Sequence, residues 1–243
     1  MPMKVLPLLV FCLLATSPAV AQYEKDVLES VKGDLVVTFL GHASLMLEYN
    51  DRVIQIDPWS KLADYSNLPK ADLVLITHHH QDHLDPIALE KTRKPTTRLI
   101  ITELCRTAVP DGIVMKNGES REEYGITIDA LPAYNLIHKR DNGEFFHPKG
   151  EGNGYLLNFD GTRLYIAGDT ENIPEMKALK DIDYAFLPMN LPYTMTPEMV
   201  ADAARAFRPK VLYPYHYWKT DPKLLLDLLR DLPDVEVRIR RMN

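Results

Sequence analysis

The chain is poor in cysteine, which limits how its fold can be stabilised. Two of its 243 residues are cysteines, and Cys12 lies in the apolar N-terminal stretch. Once that stretch is removed, Cys105 has no partner within the chain, so an internal disulfide is excluded. Because Cys105 follows the strand-like residues 99–101, we expect it to be a buried structural thiol.

Clustered basic residues and long apolar segments are also missing. The formal net charge is −6, and the chain contains no long run of lysine and arginine residues. Nucleic-acid-binding proteins neutralise phosphates with such runs, so we expect no nucleic-acid partner. After residue 21 no segment is long and apolar enough to span a bilayer, and we expect no stable membrane insertion. The oligomeric state is not predicted by any feature of the sequence.

The first 21 residues have the features of a secretory signal peptide. Lys4 is their only charge, residues 6–14 are apolar, and residues 19–21 form an Ala-Val-Ala cleavage site. The apolar core is too short for a transmembrane anchor. We therefore expect a signal peptide over residues 1–21 and a periplasmic or secreted protein whose mature part, residues 22–243, is a single domain.

The most informative segment is the seven-residue run T-H-H-H-Q-D-H, residues 77–83, which directly follows a short apolar stretch. Side chains two apart on an extended backbone point the same way, so His78 and His80 can converge on one point. Asp82 and His83 follow after a turn and can serve a second point nearby. Imidazole and carboxylate groups bind borderline divalent metals, so the run predicts a metal site rather than a histidine-rich surface loop.

This run resembles the His-x-His-x-Asp-His signature of the metallo-β-lactamase superfamily, with His79 in the first variable place. The resemblance covers most of the chain after residue 34. Within the superfamily, the chain resembles the lactonase-like branch related to ascorbate-6-phosphate lactonases. It implies an α/β fold, a four-layer αββα sandwich of two mixed β-sheets with helices outside. A weak internal repeat agrees with this, because residues 45–57 and 155–169 both form a predicted hairpin that ends in aspartate.

The resemblance also implies which later residues complete a two-metal site. Asp169, in Ala-Gly-Asp-Thr, matches the carboxylate that bridges the two metals in the family. His216, at the end of an apolar strand, matches the family's terminal histidine and is assigned to the second metal with Asp82 and His83.

The last ligand of the first metal is less clear, since this sequence lacks the histidine-rich element of the β-lactamase and glyoxalase branches. His147 and His138 are the candidates. His147 is preferred because it lies closer to the turn at residues 152–154 and matches a His-Pro-containing stretch of the lactonase-related branch. The predicted metal ligands are His78, His80, Asp82, His83, His147, Asp169 and His216.

Four further residues are expected to support the ligands or to contact the substrate. Asp57, at the end of a strand, is placed to accept a hydrogen bond from a ligand imidazole. His42, in Leu-Gly-His-Ala-Ser, resembles a Gly-His-x-Ser element of the lactonase-like branch, although a purely structural turn residue is the alternative. Asn190 and Tyr193 follow a strand end and are expected in the wall of the pocket. Other aromatic residues after strand ends could extend this wall: Trp59, Tyr217 and Trp218.

Together these residues predict a metal-dependent hydrolase with a small-molecule substrate. Two divalent metal ions are expected, zinc by default and otherwise manganese or iron. They would use a metal-bound hydroxide to cleave an ester, lactone or phosphodiester bond, with Asp82 orienting the hydroxide or relaying its proton. Two alternatives stay open, namely a non-catalytic metal-binding module on the same fold and β-lactam hydrolysis.

Expression with the native N-terminus in a Gram-negative host should yield an exported chain that begins at Gln22. The intact mass of the periplasmic protein measures this cleavage site. An Ala21→Leu variant is the control, because the cleavage site requires small residues. An exported protein that retains Met1 would contradict the predicted signal peptide.

Overall fold

The computed structural model describes residues 23–242, so the predicted signal peptide lies outside the described residues. Two seven-stranded mixed sheets form the described part, and in each sheet every strand pairs with its neighbour in sequence. The first sheet contains β1 (Glu24–Leu28), β2 (Leu35–Gly41), β3 (Ser44–Tyr49), β4 (Arg52–Ile56), β5 (Leu73–Leu75), β6 (Arg98–Ile101) and β7 (Ile113–Val114). The second contains β8 (Ser120–Glu123), β9 (Ile126–Ala133), β10 (Gly152–Phe159), β11 (Thr162–Ile166), β12 (Tyr184–Pro188), β13 (Val211–Tyr215) and β14 (Glu236–Val237).

Helices are few and short. They are α1 (Pro86–Thr92), α2 (Pro174–Lys177), α3 (Pro197–Phe207) and α4 (Leu224–Leu228). None of the helices within residues 23–242 combines the length and the apolarity needed to cross a bilayer. The two mixed sheets with these helices form the αββα sandwich that the sequence predicts.

The two sheets share one topology. In the first sheet, β1 to β4 are antiparallel to their neighbours and β4 to β7 run parallel. In the second, β8 to β11 are antiparallel and β11 to β14 run parallel. The internal repeat in the sequence therefore corresponds to two similar halves. The carboxyl ends of parallel strands lie together at one edge of a sheet, and ligands bind at such edges. We therefore expect the site at this edge.

Strand β5 shows why both faces of a sheet are covered. Its successive side chains point to opposite faces. Leu73 and Leu75 pack in the core that both sheets share, whereas Val74 packs in a second cluster with Leu89 of α1. A strand buried on both faces reads as a continuous apolar run, as the sequence before the histidines does. Cys105 lies in the same second cluster with no exposed surface, and burial raises the pKa of its thiol, so it is a structural residue.

Aromatic rings join the two sheets at the centre of the core. The ring of Phe186 in β12 stacks on Tyr213 in β13, with centroids 4.8 Å apart. Phe39 of β2 reaches across from the first sheet, and its centroid lies 5.4 Å from Tyr213 and 6.3 Å from Phe186. Contacts of this kind hold the two strand-end edges in one relative position.

Helix α3 begins where the sequence predicts. The Thr196 hydroxyl accepts a hydrogen bond from the Met199 N–H, and Pro197 occupies the first helical position. Val200, Ala204 and Phe207 are buried on one face. The helix therefore has a firm start, which fixes the end of the loop that follows β12.

Two polar segments form strands that the sequence did not predict. The polar, charged strand β1 pairs antiparallel with β2 from Glu24↔Phe39 to Leu28↔Leu35. Strand β8 pairs with β9 in the same way. Each lies at the edge of its sheet and has one neighbour, so its conformation depends on a partner rather than on its own composition.

Candidate metal centre

Strand ends from both sheets meet at one edge of the sandwich. Asp57 follows β4, and the histidine run follows β5. Asp169 and His216 follow β11 and β13 of the second sheet, and the loop of residues 134–151 supplies His147. Residues that are far apart in sequence are thus brought within a few ångströms.

A first cluster contains His78, His80 and His147. One ring nitrogen of each lies within 4.8 Å of the others. His78 Nε2 faces His80 Nδ1 at 3.0 Å, and His147 Nε2 lies 3.3 Å from Asp169 Oδ2. The structure therefore brings His147 to the two histidines of the run, as the sequence analysis preferred.

A second cluster contains His42, Asp82, His83 and His216, again with ligand-type atoms within 4.8 Å of one another. His216 Nε2 lies 3.6 Å from Asp82 Oδ2 and 3.5 Å from Asp169 Oδ2. His83 Nε2 lies 3.5 Å from Asp169 Oδ1. The Asp169 carboxylate thus faces both clusters, as a bridging group would.

Several atoms of these clusters are buried without a hydrogen-bond partner. They are His83 Nε2, Asp169 Oδ1 and both ring nitrogens of His216. A buried polar atom without a partner is costly, and an imidazole lone pair or a carboxylate oxygen is satisfied by a divalent metal. The unpartnered atoms and the nitrogen and oxygen donor set therefore fit a metal site with two positions.

Asp57 supports this centre as expected. Its Oδ2 accepts hydrogen bonds from His83 Nδ1 at 2.7 Å and from the Thr77 hydroxyl at 2.6 Å. Its Oδ1 accepts the Thr77 N–H at 2.8 Å. Because the proton of His83 is held at Nδ1, the lone pair of Nε2 is directed into the second cluster. Thr77, which the sequence analysis left without a role, completes this support.

The His147 ring is oriented by Asn135. The Asn135 Oδ1 accepts hydrogen bonds from the His147 N–H at 2.7 Å and from His147 Nδ1 at 2.9 Å. The Asn135 amide nitrogen donates to Glu171 Oε1 and to the Tyr193 carbonyl. His147 Nε2 is therefore left without its proton and faces the first cluster.

The alternative ligand, His138, is directed elsewhere. Its Nδ1 lies 2.7 Å from Glu171 Oε1, and the groups of metal-ligand atoms within residues 23–242 do not include it. The buried Glu171 carboxylate also accepts the N–H groups of Leu136, Ile137 and His138 at 2.7–2.8 Å. Glu171 therefore anchors the beginning of the loop that carries His147.

Sequence reasoning missed Glu171. The available signal was an acidic residue two places after Asp169, which is weak without knowledge of its partners. Burial acts to raise the pKa of Glu171, but hydrogen bonds from the His138 N–H and the Asn135 amide outweigh it and hold the pKa below its usual value. An ionised, hydrogen-bonded carboxylate explains how this group tolerates full burial.

The histidines of the first cluster have lowered pKa values, which favours binding of a cation. Burial lowers the pKa of His78 well below its usual value, and the neighbouring His83 ring adds to this effect. Burial and the His147 ring lower the pKa of His80 to about 4. Both rings are neutral at pH 7 and can offer a lone pair to a metal.

The second cluster contains a carboxylate, that of Asp82, so it is more strongly anionic than the first cluster. Burial acts to raise the pKa of Asp169, but the rings of His216 and His83 outweigh it and hold the pKa well below its usual value. Burial acts to lower the pKa of His83, yet the carboxylates of Asp169 and Asp57 raise it well above its usual value. A metal at this position would displace the His83 proton, so metal affinity should decrease as the pH falls.

A cavity of about 560 Å³ opens above the two clusters. Asp82 lines it, and about a third of its side chain is exposed, whereas the Asp169 side chain is almost fully buried. The predicted wall residues Trp59, Asn190, Tyr193 and Trp218 line it as well. Tyr217 does not line it, because this tyrosine is buried and its hydroxyl donates to the Arg240 carbonyl.

His42 lies between the cavity and the second cluster. Its Nε2 donates to Asp82 Oδ2 at 3.0 Å, and its ring centroid lies 3.8 Å from that of His216. The His42 carbonyl accepts the His216 N–H at 2.8 Å. His42 therefore braces Asp82 and His216 and also faces the cavity. His79, between the two ligands of the run, is exposed.

Comparisons with known proteins show the family of the chain. The sequence profile of the "Beta-lactamase superfamily domain" family matches residues 36–216. A UPF0173 metal-dependent hydrolase from Pelotomaculum thermopropionicum is 30% identical over 221 residues, which cover 84% of this chain and 95% of the relative. The chain belongs to the UPF0173 metal-dependent hydrolase family. The match to the domain profile places it in the metallo-β-lactamase superfamily, while the lactonase-like branch stays a prediction.

Two solved structures are similar to this UPF0173 chain. A protein from Parabacteroides distasonis, assigned as a metal-dependent hydrolase, is 49% identical with a TM-score of 0.87, and the match covers 91% of this chain and all of that one. Igni18, a metallo hydrolase from Ignicoccus hospitalis, is 27% identical with a TM-score of 0.71, covering 86% of this chain and 96% of Igni18.

The metal content of two histidine variants of this UPF0173 chain tests the first cluster. His147→Ala should reduce bound metal from two ions per chain to one or fewer, because it removes a ligand-type atom 3.3 Å from Asp169. His138→Ala is the matched control and should retain two. Mass-spectrometric metal analysis of residues 22–243 measures this, and two ions in the His147 variant would contradict its assignment.

Asn135→Ala should weaken metal binding at the first cluster by about 10- to 100-fold, the usual cost of losing a partner that orients a ligand. Competition with a chelator measures the affinity. Asn142→Ala, in the exposed part of the same loop, should leave the affinity unchanged. Equal affinities of the two variants would show that Asn135 does not orient His147.

Proposed function

We propose that this chain is a dinuclear metallo-hydrolase that cleaves an ester, lactone or phosphodiester bond in a small molecule. The observation that carries the proposal is the position of Asp169 between two clusters of ligand-type atoms, directly beneath a cavity of about 560 Å³. None of the predicted ligand positions is missing, so nothing favours the non-catalytic alternative.

The first metal would be held by His78, His80 and His147, and the second by Asp82, His83 and His216, with Asp169 shared. Zinc suits a centre of imidazoles and carboxylates, and manganese or iron also accept such ligands. Bound divalent ions lower the pKa of water from 15.7 to about 7 and polarise the bond that is cleaved.

Asp82 is the group of the protein best placed to handle the attacking water. It lines the cavity and is the more exposed of the two cluster carboxylates. Burial acts to raise its pKa, but the neighbouring His83 and His216 rings and the hydrogen bond from His42 hold that pKa well below its usual value. An ionised Asp82 accepts a hydrogen bond from the attacking water, so it would orient the nucleophile.

Other residues position the substrate. The Asn190 side chain lines the cavity and makes no hydrogen bond to residues 23–242, so its amide is available to a substrate oxygen. The rings of Trp59, Tyr193 and Trp218 border the same space. Aromatic walls bind apolar groups and exclude water from the reacting bond. With its predicted leader, the enzyme would act on a periplasmic or external compound.

Activity of the metal-loaded protein tests the reaction class. 4-Nitrophenyl acetate, γ-butyrolactone and bis(4-nitrophenyl) phosphate represent the three bond types. At least one should be hydrolysed, and EDTA should abolish turnover until metal is restored. Asp82→Asn should reduce kcat by about 10²- to 10⁴-fold, because it removes the carboxylate that orients the attacking water and that would bind the second metal.

Asp141→Asn is the control, since Asp141 is exposed in the loop outside the cavity. It should retain full activity. Two bound metals without turnover of any bond type would count against the hydrolase and favour the metal-binding module.

A further inference from the structure

The cavity above the metal centre has one cationic side chain in its wall. Of the lysine and arginine residues among positions 23–242, Arg140 is the one that lines this cavity. It lies on the same 134–151 loop as His147. Arg140 has no role in the proposed chemistry, so its presence beside the reacting groups calls for another explanation.

The Arg140 guanidinium is held loosely and carries an unpaired charge. Its Nη2 donates to the Phe146 carbonyl at a long 3.3 Å, and its carbon lies 5.1 Å from the Phe146 ring centroid. It forms no ion pair with a carboxylate of residues 23–242. At least three of its five N–H donors therefore remain available to another acceptor, since the contacts of Nη2 with Phe146 and His80 occupy at most two.

The position of Arg140 beside His80 is informative. Arg140 Nη2 lies 3.4 Å from His80 Nε2, while His80 Nδ1 is the nitrogen that faces the first cluster. A neutral imidazole that offers the lone pair of Nδ1 to a metal carries its proton on Nε2. Two donors would then face each other, and they cannot form a hydrogen bond. An acceptor beside both of them would satisfy both.

Local attraction matters because the chain as a whole repels anions. Its formal net charge is −6, so long-range steering does not favour an anionic substrate. A guanidinium next to an imidazole N–H offers a site for a carboxylate or phosphate, since its planar fork matches their oxygens. The Phe146 and Tyr193 rings, whose centroids lie 4.9 Å apart, provide adjacent apolar surface.

We propose that Arg140 and the Nε2–H of His80 form an anion-binding subsite that selects substrates with a carboxylate or phosphate group away from the bond that is cleaved. The apolar part of such a substrate lies against Phe146 and Tyr193. This inference rests on the proposed hydrolase function, because it describes substrate recognition at the same cavity.

Calorimetric titration of the zinc-loaded protein tests this subsite without requiring turnover. Benzoate and phenylphosphonate are the anionic probes, and benzyl alcohol is the neutral one. Arg140→Ala should weaken binding of at least one anion about tenfold or more, the usual effect of losing a charge-assisted hydrogen bond. Binding of benzyl alcohol should not change. Arg140→Lys should recover part of the affinity, because it restores the charge without the fork.

Lys139→Ala is the matched control. Lys139 is the neighbouring residue, but its ammonium lies over the Phe145 ring and outside the cavity lining. It should bind all three probes as the wild type does. An Arg140→Ala effect on benzoate alone would assign carboxylate substrates, and an effect on phenylphosphonate alone would assign phosphorylated ones.

Three results would overturn the subsite: no anion binding by the wild type, equal effects of the two alanine variants, or an equal loss of benzyl alcohol binding in Arg140→Ala. These results are separable from failure of the hydrolase. A protein that binds anions through Arg140 but cleaves nothing retains the subsite and loses the reaction. A protein that hydrolyses esters without an Arg140 effect on anions retains the reaction and loses the subsite.

Discussion

A buried edge that contains imidazoles and carboxylates is stable only when its polar atoms find partners, and this requirement shapes the structure around the site. Asp57 accepts hydrogen bonds from Thr77 and His83, and Glu171 accepts three backbone N–H groups. Among the site residues, the unpartnered His83 Nε2, Asp169 Oδ1 and His216 Nε2 face the two clusters. The polar atoms of the site that still lack a hydrogen-bond partner therefore lie where we propose the metals.

The two similar halves each have an aspartate after a corresponding strand, and the two aspartates differ in role. Asp57 directly follows β4 (Arg52–Ile56), and Asp169 lies shortly after β11 (Thr162–Ile166). The carboxylate oxygens of Asp57 accept hydrogen bonds from Thr77 and His83, so they support the centre and are not available to a cation. Asp169 faces imidazole nitrogens, one of which, His83 Nε2, lacks any hydrogen-bond partner, so its oxygens stay available for a cation. The surroundings rather than the residue type decide the role of each aspartate.

The 134–151 loop carries residues of both the proposed metal centre and the proposed substrate subsite. Glu171 anchors its beginning, and Asn135 links it to His147 and to the carbonyl of Tyr193. The same loop carries Arg140 into the cavity wall. A change in the anchor would consequently alter the metal ligand and the substrate subsite together.

Local patterns in the sequence were enough for much of the fold. The apolar stretch before the histidines and the hairpin predicted within residues 155–169 both correspond to elements that the structure contains. The polar edge strands β1 and β8 were missed. Their backbone groups are satisfied by neighbours in the folded sheet, and a local pattern does not contain that information.

For the site, the sequence by itself determined the family and the central ligand-type run, because His78, His80, Asp82 and His83 lie within six residues and their spacing expresses the geometry of one strand end. Only the tertiary structure decided what depends on residues distant in the chain. It directed His138 to Glu171 and His147 to the first cluster, and it placed Arg140 beside His80. The physical reason is that a buried histidine is oriented by its hydrogen-bond partners, and those partners are contributed by other strands and loops.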